Sequence, residues 1–163
     1  MLMTKQHYIA LICSAILSMF TFNAYCWEGK VVSIADGDTV TCLNNANEQV
    51  KIRIYGIDSP EKKQAFGTKS RQFMADQIFG KIVDVSVVGT DRYGRTIARI
   101  FCGGNDAGLS SIKNGFAWHY VKYARNDTDY ANAQEHAKEN KLGLWIDPDP
   151  VPPWDFRRIK KTK

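Results

Sequence analysis

Short β-branched stretches separated by polar turns are the feature that most restricts what this chain can fold into. Strands are predicted at residues 30–34, 39–43, 50–57, 82–88 and 95–101. The third stretch alternates, with Val50, Ile52 and Ile54 on one face and polar or aromatic side chains on the other. The Asp36-Gly37 pair between the first two stretches predicts a hairpin or a tight bend. Such strands favour a small, mainly antiparallel sheet.

Helical spacing appears between and after these strands. Ser59-Pro60 predicts a helix start, because serine suits the cap and proline suits the first turn. The apolar face of that helix is predicted at Phe66, Phe73, Met74 and Ile78. Leu109, Ile112 and Phe116 indicate a second helix, and residues 127–140 a polar third one with Tyr130, Ala133 and Ala137 inward. The order strands, helix, strands, two helices is typical of an α+β domain.

The first 26 residues have the order of a secretory signal peptide. Lys5 precedes an uncharged, mostly apolar run at 9–22, and Ala24-Tyr25-Cys26 has small residues at its first and third places. A membrane anchor is the competing interpretation, but 14 residues are fewer than the ~20 that span a bilayer as a helix. A lipid anchor on Cys26 is disfavoured by the bulky residue before it. We therefore expect a signal peptide at 1–26 and a mature domain at 27–163.

Charge and cysteine content add little to this prediction. Loss of Lys5 leaves 21 basic residues against 17 acidic ones, a net charge of +4. That excess suits an anionic polymer, and it suits plain solubility equally well. Cys42 and Cys102 remain in the mature chain, where export permits a disulfide, although the sequence leaves their pairing open. No CxxC or histidine-rich pattern indicates zinc.

Three segments concentrate acids and arginines near predicted strand ends: residues 36–39 (DGDT), 53–61 (RIYGIDSPE) and 91–95 (DRYGR). Singly, each has an ordinary structural explanation as a turn or as a strand that runs into a capped helix. Together, in this order and spacing, they resemble the staphylococcal nuclease (thermonuclease) family. The resemblance runs from about Gly29 to Trp154 and includes the Pro-Pro-Trp tail typical of bacterial relatives. It implies an OB-fold barrel of five strands with three α-helices.

The resemblance implies a calcium site and a residue that activates water. Asp38, Asp58 and the main-chain carbonyl of Ser59 correspond to the protein ligands of Ca²⁺, a hard ion that prefers oxygen. The family more often has threonine at the third place, which should not matter if the carbonyl coordinates. Glu61 corresponds to the glutamate proposed to activate the attacking water, a role typically worth ~10²–10⁴ in rate.

The resemblance also implies groups that bind the substrate. Arg53 and Arg95 correspond to two arginines that hold the phosphate, and their planar forks match its oxygens. Tyr93 corresponds to a tyrosine near the phosphate, Arg92 stands where the family has a lysine, and Tyr123 is the candidate for an aromatic that flanks a base. The loop after Glu61 is shorter than in the best-known member, so contacts from that loop are not carried over.

Histidine, the usual base in other metal nucleases, is not assigned a catalytic role. His119 lies between Trp118 and Tyr120 and is predicted to be packed. His136 lies on the polar helix and is predicted to be solvated.

The implied function is a secreted, calcium-dependent endonuclease that hydrolyses DNA and RNA with little sequence specificity. We expect a monomer in the periplasm or the medium, with no stable protein partner and no membrane attachment after signal cleavage. The alternative is a non-catalytic OB-fold module that binds single strands through aromatic side chains and basic grooves. Three acids, Asp38, Asp58 and Glu61, favour the enzyme, because binding alone does not need acids in a phosphate site.

Overall fold

A computed structural model describes residues 25–161, so all of the predicted signal peptide except Tyr25 and Cys26 lies outside the described residues. The strands are β1 Cys26–Asp36, β2 Thr39–Leu43, β3 Gln49–Ile54, β4 Ile57–Asp58, β5 Ile82–Thr90, β6 Thr96–Cys102, β7 Asn105–Asp106 and β8 Trp118–His119. The α-helices are α1 Gly67–Ile78, α2 Ala107–Lys113, α3 Val121–Ala124, α4 Thr128–Glu139 and α5 Pro153–Lys161, and a 3₁₀ turn spans Gly143–Ile146.

Five strands close into a mixed barrel. Strands β3, β2, β1, β5 and β6 pair antiparallel in that order. The barrel closes where β3 pairs with β6 in parallel, with Arg53 opposite Ile97 and Ile54 opposite Ala98. This confirms the predicted α+β class and OB-type barrel. The three predicted helices correspond to α1, α2 and α4, and the structure adds the short α3 and the C-terminal α5.

The core fills the barrel and the space under the helices. The alternation predicted for residues 50–54 is confirmed, since Ile52 and Ile54 are buried while Lys51 is exposed. Side chains from α1, α2 and α4 pack on the barrel core, among them Met74, Ile78, Ile112 and Tyr130. A fully buried side chain of this size stabilises a fold by roughly 1.5–3 kcal/mol. A second apolar cluster contains Ala137, Leu144 and Trp145, with Trp118 packed against it.

Two helix caps attach the helical layer to the barrel. Asp106 accepts hydrogen bonds from the main chain of Gly108 and Leu109 at the start of α2, and Asp127 accepts one from the main chain of Tyr130 at the start of α4. Arg99 of β6 forms ion pairs with both carboxylates. The caps therefore satisfy free main-chain donors of two helices and also hold those helices to one strand.

Two details of the local prediction are wrong. The helix predicted to begin at Ser59-Pro60 begins at Gly67, after a series of turns. The Ser59 hydroxyl has no hydrogen-bond partner and so does not cap a helix, while the Ser59 main-chain N–H donates to the Asp38 carboxylate. The strand predicted at 50–57 is also interrupted, since Gly56 adopts a left-handed φ of 71° and β4 beyond it pairs with β8.

No helix among residues 25–161 is long and apolar enough to cross a bilayer. The proline-rich tail that the sequence indicates leads into a helix, because α5 begins at Pro153. Proline is favoured in the first turn of a helix, where its missing N–H has no partner to lose.

Candidate active site

The first two acidic segments meet at one end of the barrel. Asp38 lies in the tight turn between β1 and β2, and Asp58 ends β4; both are buried. One guanidinium nitrogen of Arg53 lies 3.2 Å from an oxygen of Asp38 and 3.0 Å from an oxygen of Asp58. Residues that are 20 positions apart in the chain thus form one buried cluster of two carboxylates around an arginine.

Main-chain hydrogen bonds fix this cluster. Asp38 Oδ2 accepts from the Ser59 N–H at 2.7 Å, and Asp38 Oδ1 accepts from the Thr39 hydroxyl at 3.0 Å. The Arg53 guanidinium also donates to the carbonyl of Ile54 at 3.0 Å. The carboxylates are therefore held in place by the barrel itself, as a preorganised site requires.

Negative charge accumulates around the cluster. Burial, followed by the charge of Asp38, raises the pKa of the neighbouring Asp36 to about 7. Burial also raises the pKa of Asp58, an effect that hydrogen bonds from Arg157 oppose. Because the folded pKa of Asp36 exceeds its ordinary value, its ionisation costs stability progressively as the pH rises from about 4 towards 7. An added cation would offset this cost.

The donor set fits calcium. Asp38 and Asp58 offer buried carboxylate oxygens, and the Ser59 carbonyl belongs to the residue whose N–H contacts Asp38. Between residues 25 and 161 no three His, Cys, Asp or Glu side chains are grouped as a metal site. Calcium takes 6–8 oxygen ligands, so two carboxylates and a carbonyl would leave several coordination positions for water and substrate. Such a site suits an ion that must contact a phosphate oxygen.

Glu61 lies at the exposed margin of the cluster. Its side chain is 40% exposed and forms an ion pair with Arg157, with 2.8 Å between Oε1 and Nη1. The same arginine contacts both oxygens of Asp58, at 2.7 and 3.2 Å. Asp58 and Glu61 therefore contact the same guanidinium, Asp58 from a buried position and Glu61 from an exposed one.

Sequence reasoning did not find Arg157. The residue lies in the basic tail, 99 positions from Asp58. One local signal for a helix in this tail was available, because proline at position 153 is typical of a helix start. Arg157 follows Trp154 by three residues, so their side chains would be neighbours on such a helix. The contact with Asp58 itself has no local signature.

The third segment forms the turn before β6. Asp91 Oδ2 pairs with Arg95 Nε at 2.7 Å, while Oδ1 accepts from the main chain of Tyr93 and Arg95. Although desolvation opposes ionisation, these hydrogen bonds lower the pKa of Asp91. The parallel register aligns Arg53 with Ile97, so alternation places Arg95 on the same face as Arg53. Arg95 therefore faces the same side of the barrel as Arg53, and its side chain is held by Asp91 of the same turn.

The predicted substrate-binding residues are exposed. Tyr93 is 69% exposed, and Arg92 lies over its ring and donates to its hydroxyl at 2.6 Å. Tyr123, on α3, is 63% exposed and contacts the ring of Tyr120 edge-on. Because α3 follows β8, which pairs with the Asp58 strand, this aromatic surface adjoins the cluster.

Two predictions about histidines are confirmed. His119 is buried, and its Nε2 lies 2.8 Å from the carbonyl of Ala124. His136 is exposed on α4.

The thiols of Cys42 and Cys102 are free, and burial raises the pKa of Cys42 to about 12.

Known proteins are similar in sequence to most of this chain. The family model described as staphylococcal nuclease homologue matches residues 51–147. The chain is 39% identical over 155 residues to a Haemophilus influenzae protein called an uncharacterized endonuclease, covering 93% of this chain and 86% of that protein. It is 36% identical over 146 residues to a Shigella flexneri micrococcal nuclease, covering 83% of each. An Escherichia coli protein, also called an uncharacterized endonuclease, is 36% identical over 148 residues, covering 89% of this chain and 95% of that protein.

The chain belongs to the staphylococcal nuclease family. The matched region contains Arg53, Asp58, Glu61 and the turn at 91–95, whereas Asp38 and Arg157 lie outside it. Both of those residues contact Arg53 or Asp58 in the folded chain.

The assignment of the Ser59 carbonyl, rather than its hydroxyl, as a ligand leads to a testable prediction. The Ser59 hydroxyl is buried with no hydrogen-bond partner. Ser59→Ala should therefore leave stability unchanged or raise it slightly, because an unsatisfied buried polar group is removed. Calcium binding should persist. Urea unfolding and calcium titration calorimetry measure the two effects.

A matched control is Ser70→Ala. The Ser70 hydroxyl is also buried, but it donates to the Phe116 carbonyl at 2.6 Å, so its removal should lower the free energy of unfolding by about 1 kcal/mol. Loss of calcium binding in a folded Ser59→Ala protein would contradict ligation through the carbonyl.

Proposed function

We propose that this chain is a secreted, calcium-dependent endonuclease that hydrolyses phosphodiester bonds in DNA and RNA with little sequence specificity. The observation that carries the proposal is the buried Asp38–Arg53–Asp58 cluster with Glu61 at its exposed margin. A module that only binds nucleic acid gains nothing from burying two carboxylates where a phosphate must come. A hydrolase gains a place for a divalent cation.

Asp38, Asp58 and the Ser59 carbonyl would hold the calcium ion, which supplies Lewis-acid stabilisation of the charged phosphoryl oxygens. Arg53 is fixed at the cluster by two carboxylates, so its remaining N–H groups can be directed at a phosphate. Arg95, on the same face, would add a second planar fork. Both arginines stay charged at any working pH and would stabilise the extra charge of a five-coordinate transition state.

We assign to Glu61 the role of accepting the proton from the attacking water. Its carboxylate is accessible to solvent, so a water molecule can reach it beside the phosphate. As the water oxygen bonds to phosphorus, its proton passes to Glu61, the bond from phosphorus to the leaving sugar oxygen breaks, and that oxygen takes up a proton from solvent. The exposed Tyr93 and Tyr123 offer surfaces for sugar and base without a pattern of base-edge donors. Weak sequence preference is consistent with such groups.

The function is tested by plasmid cleavage. Wild-type protein should cut plasmid and single-stranded DNA and RNA in millimolar calcium, since modest oxygen-only sites bind calcium at ~10⁻⁴–10⁻³ M. Activity should vanish with chelator and in folded Asp58→Asn. Retardation of DNA on a gel without cleavage, with calcium present, would support the binding-module alternative. Full activity with magnesium alone would refute the calcium assignment.

A second prediction concerns Glu61. Glu61→Gln nearly preserves shape but removes the proton acceptor, so the single-turnover rate at saturating DNA should fall by roughly 10²-fold or more. The matched control is Glu135→Gln, because Glu135 is exposed on α4 and pairs with Lys138 there; its rate should be unchanged. Circular dichroism serves as the folding check. A folded Glu61→Gln protein with the wild-type rate would remove Glu61 from the mechanism.

Secretion rests on the pattern of residues 1–26. A processed protein should begin at Trp27, which N-terminal sequencing of periplasmic and medium fractions measures. An unprocessed chain that stays in the cytoplasm would contradict export. We also propose that the mature enzyme acts as a monomer.

A further inference from the structure

The C-terminal helix brings a cation onto Asp58, one of the two carboxylates proposed for metal binding. Both terminal nitrogens of Arg157 donate to Asp58, Nη2 to Oδ2 at 2.7 Å and Nη1 to Oδ1 at 3.2 Å. Nη1 also donates to Glu61 at 2.8 Å. These hydrogen bonds raise the pKa of Arg157 above its ordinary value, against the opposing effect of desolvation. A bidentate pair with an added charged acceptor is among the stronger ion pairs that proteins form.

Arg157 reaches this position on an anchored helix. The indole of Trp154 stacks on Tyr120 with 5.5 Å between ring centroids and contacts Trp118 edge-on at 5.6 Å. The preceding segment is tied to the Glu61 loop, because the Gln64 amide donates to the Val151 carbonyl at 2.6 Å while its oxygen accepts from the Glu61 N–H at 3.1 Å. The helix therefore packs on the same elements that position Asp58 and Glu61.

We propose that Arg157 is a built-in competitor of the metal ion for Asp58. This inference rests on the proposed calcium site. Calcium binds carboxylate oxygens at 2.3–2.6 Å, and the guanidinium occupies both oxygens of Asp58 at hydrogen-bond distance. The two cations repel each other over a few ångströms, so the full set of Arg157 contacts and a bound ion are mutually exclusive.

Arg157, rather than Arg53, is the cation that gives way. Arg53 lies on β3 in the barrel, its side chain is 16% exposed, and it also donates to the Ile54 carbonyl. Arg157 lies on a terminal helix, and its side chain is 41% exposed. Its guanidinium can rotate into solvent while Trp154 keeps the helix in place. Metal entry thus releases an arginine beside the position of the substrate phosphate.

The test is calcium titration calorimetry on the full-length mature protein without nucleic acid. Arg157→Gln should bind calcium more tightly than wild type, by at least about five-fold, the lower end of typical coupling between sites. Arg157→Lys keeps a charge but loses the fork, so its affinity should lie between the two. The matched control is Arg158→Gln on the same helix, since Arg158 pairs with Asp155 of that helix; its affinity should equal that of wild type.

A second measurement reports Arg157 directly. In wild-type protein the Arg157 side-chain N–H signal, assigned by its loss in Arg157→Lys, should shift during the calcium titration with the calorimetric midpoint. Unchanged or weaker calcium binding by folded Arg157→Gln, or an Arg157 signal that calcium does not move, would overturn the competition and leave the calcium site intact. Calcium binding by neither wild type nor Arg157→Gln would overturn both the site and the competition.

Discussion

Closure of the barrel by the parallel pairing of β3 with β6 is the constraint on which the other features depend. An open sheet would leave main-chain donors and acceptors unpaired along two edges. Closure removes those edges and fixes the register of β3. That register sets the direction of Arg53 and the face on which Arg95 lies, and it holds the Asp38 turn beside β4. The candidate site is thus formed at one end of a closed barrel.

The buried acids oppose stability and serve the proposed chemistry. A buried ion has an effective desolvation penalty of several kcal/mol, and attraction to a partner offsets it only when the geometry is good. Here Arg53 contacts both carboxylates, while the Ser59 N–H and the Thr39 hydroxyl contact Asp38. Apolar residues of similar volume would pack there at lower cost. A cluster of this kind is understandable when a cation has to bind at it.

The two arginines that contact Asp58 are held in different ways. Arg53 is held by a barrel strand, so its position is as stable as the core. Arg157 depends on the packing of one terminal helix through Trp154. The Arg157 side chain is also more exposed than that of Arg53, 41% against 16%. A cation on such a segment can exchange with another cation without disturbing the barrel.

Local periodicity in the sequence was sufficient to predict most of the strands and helices. Alternation in residues 50–54 and helical spacing in residues 127–140 predicted β3 and α4, because side-chain direction follows directly from strand and helix geometry. The helix start predicted at Ser59 was wrong, because the Ser59 hydroxyl does not cap a helix and the residue is buried against Asp38, 21 positions away. Short-range rules do not include such a partner.

The sequence by itself determined the class of fold, and the three acidic and basic segments identified Asp38, Arg53, Asp58 and Glu61 as one set. Only the tertiary structure decided how they meet: one guanidinium between two buried carboxylates, with Arg95 paired to Asp91 in the turn before β6. It alone brought Arg157 to Asp58 across 99 positions of chain. Periodicity and turn chemistry act over a few residues, whereas such a contact depends on barrel closure and on the docking of Trp154, which are properties of the whole folded chain.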